Sequence, residues 1–369
     1  IQASLVGSEM CIRDSVGRED LSHWVHVGLT SFDTVDTAQR LKLKNYLEID
    51  FFPLISRFKK ILVEKAKKYK NTRQVGRTHG QWAVPTIFGL SFAEGYERIS
   101  RLSQRLRGSL SELSGQSSGA IGGYHASALL VEDPLKLEEN FLKRLDLKAH
   151  YASLQTLPPE DFVACAQDVY AMASVAAKFA HDLRHLARSE INEIREGFKK
   201  GQVGSSTMPQ KRNPWNLEHV CSLFKVLGSR LQLLEQDMLT EHQRDLTNSA
   251  TGRFYFEFFS VAHMIFLRLS NILEGLEVVE ERMSKNLEDA GSSVLAEAFY
   301  VLATKNGIPD AHSVVREAAR KSEREGTTLW ECARDEVLKG DDLSLEDLQA
   351  KILRGSQLKL EKILKNESH

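Results

Sequence analysis

The sequence is short of the features that mark a secreted, membrane-spanning or nucleic-acid-binding protein. Only four cysteines occur in 369 residues: Cys11, Cys165, Cys221 and Cys332. They are scattered, with no CxxC pair and no finger-type spacing, so neither a disulfide framework nor a structural zinc site is expected. A reduced, cytoplasmic protein is the simple expectation. No charge of one sign dominates, since 49 Lys and Arg stand against 50 Asp and Glu. A polyanion would find little to hold, and nucleic acid is not an expected partner. No apolar run approaches the roughly 20 residues that a membrane span needs, so no membrane partner is expected either. Low-complexity tracts and short-period repeats are also absent.

What is present points to helices. Hydrophobic content of 42% and charged content of 27% are those of a soluble globular chain with ample length for a core. After Pro158-Pro159, apolar residues recur at spacings of three and four: Phe162, Cys165, Val169, Met172, Ala176, Phe179, Leu183 and Leu186. That seam predicts a helix of about 30 residues, roughly 45 Å long. A second seam follows Pro214, through Leu217, Val220, Phe224, Leu227, Leu231 and Leu234. Strand-type alternation is nearly absent. The reading is an all-α bundle of long helices, with shorter helical patterns over 294–304, 311–325 and 345–353 in a small C-terminal domain. Within the helical stretch that ends near Lys70, Pro53 must kink or break the helix, because it removes a donor.

One stretch stands apart: Gly204-Ser205-Ser206-Thr207-Met208-Pro209-Gln210-Lys211-Arg212-Asn213-Pro214. Gly204 and two serines offer flexible backbone with free N–H groups, and Lys211 and Arg212 add two cations. Asn213-Pro214 reads as a helix start, with Asn as N-cap and Pro in the first turn. Together these make a place for an anion. The run resembles, position for position, the signature G-S-S-x-M-P-x-K-x-N-P of the fumarase/aspartase superfamily. In that superfamily the loop carries the base of a β-elimination that releases fumarate or a related acid.

Further segments resemble one branch, the adenylosuccinate lyases. His26-Val27-Gly28-Leu29-Thr30-Ser31-Phe32-Asp33-Thr34-Val35-Asp36-Thr37 matches their H-x-G-L-T-S-x-D-x-V-D-T segment, which makes Thr30 and Ser31 substrate-binding candidates; read bottom-up, the same hydroxyls and carboxylates could simply cap the next helix. Gly76-Arg77-Thr78-His79-Gly80 reads as a polar break between helical segments. It resembles the family's G-R-T-H-G, which implies His79 as general acid with Thr78 beside it. Gln155 resembles the family's substrate-contacting glutamine. Glu218, at the start of the helix after Pro214, matches the carboxylate that orients the catalytic His. In His242-Gln243-Arg244-Asp245-Leu246-Thr247-Asn248-Ser249-Ala250-Thr251-Gly252-Arg253, the resemblance gives Arg244, Ser249 and Arg253 a phosphate-holding role, and Arg is the residue suited to bidentate phosphate contacts. Ser114–Ser127, rich in glycine, is a flexible or close-packing loop and not a phosphate loop, since no Gly-Lys-Ser/Thr follows. His181 and His185 are four apart but lack a supporting metal motif, so they read as surface or inter-helix residues.

The resemblance implies cleavage of adenylosuccinate to fumarate and AMP, with Ser205 as base, His79 as acid and Glu218 orienting it. The loop N–H groups, Lys211 and Asn213 would hold the developing oxyanion, with Ser206 and Arg212 also binding substrate. Whether the related succinyl-carboxamide ribotide is also used stays open. No cofactor and no metal are implied. Members are homotetramers whose sites combine segments of three subunits. Two rivals remain: a carboxymuconate cycloisomerase, which shares the loop, and a non-catalytic structural member of the superfamily. Ser4–Ser15 resembles a translated sequencing adaptor. The expected organisation is therefore a foreign leader over 1–15, a remnant of the family's first domain over 16–46, the central bundle over 47–285 and a helical C-terminal domain over 286–369.

Overall fold

The computed structural model describes residues 17–197, 208, 210–339 and 342–365. A short helix α1 (Glu19–Ser22) precedes α2 (Ser31–Tyr46), and a π turn over Leu47–Phe51 leads into α3 (Phe52–Lys68). Strands β1 (Arg73–Thr78) and β2 (Gln81–Ile87) form an antiparallel hairpin before α4 (Gly89–Ser111). The two-residue strands β3 (Ser114–Gly115) and β4 (Lys148–Ala149) flank α5 (Pro134–Arg144) and pair in parallel. The long α6 (Glu160–Leu186) is followed by β5 (Ile194–Arg195), α7 (Trp215–Gln236), α8 (Tyr255–Glu274) and β6 (Glu277–Val278), with β5 and β6 antiparallel. The chain then runs through α9 (Glu280–Ala290), α10 (Ala296–Lys305), α11 (Ala311–Glu325), α12 (Leu329–Leu338) and α13 (Leu345–Lys365).

The fold is all-α in character, as the apolar spacing predicts, and the break at Pro53 takes a definite form. The chain inserts a π turn whose closing N–H, on Phe52, reaches the Leu47 carbonyl. Pro53 follows directly on that turn, so the irregularity falls where the proline lacks a donor. The final helix continues to Lys365, well past the expected end near residue 353. Helix α12 had no counterpart in the sequence reading. Its start is built by a capping box, with Thr328 N–H donating to Glu331 Oε2 at 2.8 Å and Glu331 N–H to Thr328 Oγ1 at 3.2 Å.

The chain divides into two compact units. The first is drawn from Ile1–Ser56, Arg101–Ser174 and Ser222–Leu267. Its core joins α2, the opening of α6 and α8, where Phe51 meets Phe266 edge-on at 5.7 Å and Phe162 meets Phe259 at 5.7 Å. Such pairs add about 0.5–1.5 kcal/mol each beyond their buried area. Buried Arg40 sits in this core between Asp161, at 3.3 Å, and Asp36, at 4.0 Å. The α6 seam residues here are buried, but so are Val163, Ala166 and Ala173, so the helix is enclosed nearly all round. Contrary to expectation, the segment Thr251–Glu274 is apolar and long enough to cross a membrane. In this protein Phe258, Phe259, Ala262, Ile265 and Phe266 bury that apolarity in the core.

The second unit is drawn from Arg57–Ser100, Val175–Cys221 and Arg268–His369. Phe92 contacts Phe88 and Phe179 edge-on at 5.0 and 5.4 Å. A separate apolar cluster gathers Val294, Leu295, Phe299, Val315, Leu329, Val337 and Leu348 from the C-terminal helices, and Val75 of β1 packs into it.

Candidate functional site

The residues singled out by motif lie in both units. Thr30, Ser31, Gln155, Arg244, Ser249 and Arg253 belong to the first. Thr78, His79, Lys211, Arg212, Asn213 and Glu218 belong to the second. Ser205 and Ser206 lie outside the described residues.

In the first unit one hydrogen-bonded chain joins most of the group. Thr30 is the N-cap of α2 and Ser31 its first residue; the Thr30 N–H donates to Asp33 Oδ2 at 2.7 Å. The other oxygen of Asp33 accepts from the N–H groups of Ser118 and Gly119, at 2.9 and 3.3 Å. The glycine-rich loop is therefore held by close packing. At Gly122 (φ +77°), a Cβ would lie 2.2 Å from the Ser153 carbonyl, so no larger residue fits there. Gln155 Nε2 donates to the Ala120 carbonyl at 2.9 Å, and Arg244 Nη1 donates to Gln155 Oε1 at 2.8 Å. The Arg244 guanidinium lies over the Phe32 ring at 3.5 Å, next to Ser31. Burial draws the Arg244 pKa below its usual value, while Asp36 and Asp245 push it back up. Ser249 and Arg253 are exposed, and no hydrogen bond or ion pair ties them to Arg244 among the described residues.

In the second unit, the segment around His79 is not a break between helices but a β-hairpin. Thr78 pairs with Gln81, which leaves His79 (φ 53°) and Gly80 (φ 76°) as a two-residue turn with both residues left-handed. Thr78 and His79 stand exposed at its tip. The His79 ring has no hydrogen-bond partner among the described residues. Glu218 is also exposed, and its ion-pair partner is Arg184 at 3.9 Å, so a single chain does not join it to His79.

Lys211, Arg212 and Asn213 border a cavity of about 940 Å³, together with Arg184, His185, Arg188, Arg195 and Glu218. Among the described residues, five cations against one carboxylate make it electropositive and suited to a dianion. Arg212 reaches Glu277 at 3.6 Å, whereas Lys211 has no acidic partner among the described residues. The cap of α7 differs from the expectation for Asn213. Pro214 occupies the cap position, its carbonyl accepting from Glu218 N–H at 3.1 Å. Glu196 supplies the carboxylate, accepting from the N–H groups of Leu217 and Asn216 at 2.7 and 3.3 Å. Glu196 organises the site yet escaped the sequence reading, whereas Asp33 caps α2 as the reading of its segment allowed. Asp33 had a local signal, the T-x-x-D spacing; Glu196, 20 residues from its partner, had none.

The helix bundle and the lysine-bearing loop before α7 fit a known class. The profile of a family described as Lyase matches residues 2–228. A solved structure of 3-carboxy-cis,cis-muconate lactonizing enzyme from Pseudomonas putida superposes with a TM-score of 0.83 at 27% identity, covering 97% of this chain and 81% of that one. The chain thus belongs to the fumarase/aspartase class of lyases. A second profile, described as Adenylosuccinate lyase C-terminal, matches residues 240–351. Adenylosuccinate lyase of Archaeoglobus fulgidus is 33% identical over 351 residues, 92% of this chain and 76% of the relative. That of Pyrococcus abyssi is 36% identical over 317 residues, 84% of this chain and 69% of the relative. The chain is a member of the adenylosuccinate lyase family.

Proposed function

We propose that this chain cleaves adenylosuccinate to fumarate and AMP by β-elimination, as a cytoplasmic enzyme of purine biosynthesis. The observation that carries the reading is that a lyase scaffold presents two anion-suited groups. One is the cationic cavity at Lys211 and Arg212, fit for the succinyl carboxylates; the other is Arg244, anchored on Gln155 and stacked on Phe32, fit for a nucleotide phosphate.

In this reading Ser205 removes the proton from the succinyl β-carbon. Such a proton is very weakly acidic, so the carbanion must be held as an aci-carboxylate by donors already in place. Lys211, Asn213 and the loop N–H groups serve that purpose. His79 protonates the departing nitrogen, and Glu218 orients the imidazole. The enzyme works as a homotetramer in which the His79 turn, the signature loop and the Thr30 segment of each site come from different subunits. Support comes from the exposure of His79 and Glu218 and from large apolar side chains beside the site residues. Trp82 is 51% exposed, Leu246 65% and Phe254 50%.

The test is the loss of adenylosuccinate absorbance with purified protein, run beside Ser205→Ala and a sizing column. Turnover by a tetramer is expected, with Ser205→Ala slower by roughly 10²–10⁴-fold and KM little changed. A fully active Ser205→Ala protein would remove the base assignment. Inertness toward adenylosuccinate with cyclisation of a carboxymuconate would favour the rival chemistry.

A further inference from the structure

Glu193 has no exposed surface. Its carboxylate accepts from four N–H donors on three side chains. Gln74 Nε2 donates to Oε2 at 2.6 Å, and Asn286 Nδ2 donates to Oε1 at 2.7 Å. Arg77 closes a fork, with Nη2 to Oε1 at 2.7 Å and Nη1 to Oε2 at 3.2 Å. The acid is itself held on both sides of its backbone. Its N–H donates to the Leu186 carbonyl, and its carbonyl accepts from Val279 N–H, each at 2.9 Å.

Two of the three partners, Gln74 and Arg77, lie on β1, and both reach the acid. In a regular strand, residues 74 and 77 point to opposite faces. Here the register slips between Val75 and Arg77, where two residues of β2, Ala83 and Val84, face the single Gly76, and the long Arg77 side chain still reaches the acid that Gln74 meets. Gly76 makes the slip possible, because a Cβ there would lie 2.9 Å from the Val84 carbonyl. Arg77 also bonds back along β1, Nη1 to the Val75 carbonyl at 3.3 Å. Beyond Arg77 the hairpin is exposed, from Thr78 through Trp82. A two-stranded hairpin holds its shape poorly alone. Arg77 is the last anchored side chain before the His79 turn.

We propose that Glu193 is a positioning residue for the reaction: through Arg77 and Gln74 it fixes the left-handed turn that presents His79. This rests on the reading of His79 as the proton donor. The acid touches no substrate and acts only by aiming the imidazole. Neutralising Glu193 leaves a largely buried guanidinium without its counter-charge, so Arg77 turns out to solvent and the strand end moves with it.

The test compares Glu193→Gln and His79→Ala with the native protein by steady-state kinetics and amide hydrogen exchange. For Glu193→Gln, kcat should fall about 10- to 100-fold, the scale of an ångström-sized misplacement, with KM within about threefold. Exchange should quicken over residues 76–82 while the core of residues 294–338 stays protected. Arg77→Lys keeps both charges but loses the fork, and it should show the same pattern more weakly; it also serves should Glu193→Gln fail to fold. Native kcat in Glu193→Gln, or exchange that rises equally through the C-terminal core, would overturn the proposal. An undiminished kcat in His79→Ala would instead overturn the reading of His79, while the exchange data still judge the anchor.

Discussion

Arg244 and Gln155 are joined by a hydrogen bond of 2.8 Å although 89 residues separate them, and the same guanidinium caps the Phe32 ring. Gln155 in turn is pinned to the Ala120 carbonyl. The glutamine thus sets where the cation stands, and the cation is the group proposed to meet the nucleotide phosphate.

Gln155→Ala should therefore act chiefly on binding. Losing one hydrogen bond to a charged group is worth about 1.5–3 kcal/mol. Part of that should appear as a rise in KM for adenylosuccinate of about tenfold, with kcat changed less. Arg244→Lys, which can neither fork nor stack as a guanidinium does, should raise KM further. Steady-state kinetics on both variants decide it, and an unchanged KM in Arg244→Lys would remove the phosphate role.

A second prediction concerns the helix behind the signature loop. Glu196 is buried and satisfies two of the first N–H groups of α7, and Asn216 Nδ2 donates to it at 2.9 Å. Glu196→Ala should cost about 1–2 kcal/mol in urea denaturation. Glu196→Gln keeps an acceptor and loses the charge beside the helix dipole, so its loss should be smaller. Equal stability of the alanine variant and the native protein would show that the cap is dispensable.

The third prediction is a pH effect. Glu138 is 1% exposed and accepts from Tyr124 Oη and Ser117 N–H, at 2.6 and 2.5 Å. Burial pushes its pKa above the usual carboxylate value, although both donors pull it down. The folded state therefore holds its proton to higher pH than the unfolded state does. Stability must fall as pH rises from the unfolded value of about 4.3 through the raised folded value, with a slope of at most about 1.4 kcal/mol per pH unit. Glu138→Gln should flatten the stability curve in that window, as read from urea midpoints at pH 4, 5, 6 and 7. A native curve that rises with pH relative to the variant would reverse the assignment.

Much of the scaffold was legible because its signal is local. The three–four spacing of Phe162 to Leu183 demands one buried helical face, and Pro53 demands a break. The motif residues were legible as a set, but their partners were not. The His79 turn was hidden because its strands break the period-two rule that marks strands. Opposite Gly76 an extra residue of β2 shifts the register, and Pro85 interrupts the same strand. Helix α12 was missed because its start is a short capping box, Thr328 with Glu331, inside a charged stretch.

By itself, then, the sequence determined the helical class, the long seams and the chemistry of the loop before α7, since each depends on residues within a few positions of one another. The tertiary structure alone decided that Glu196 caps α7, that Gln155 anchors Arg244, and that Glu193 gathers Gln74 and Arg77 across 119 and 116 residues. Such pairs leave no periodic trace. A buried carboxylate must find its donors wherever the folded chain supplies them, and nothing in the local spacing says where that is.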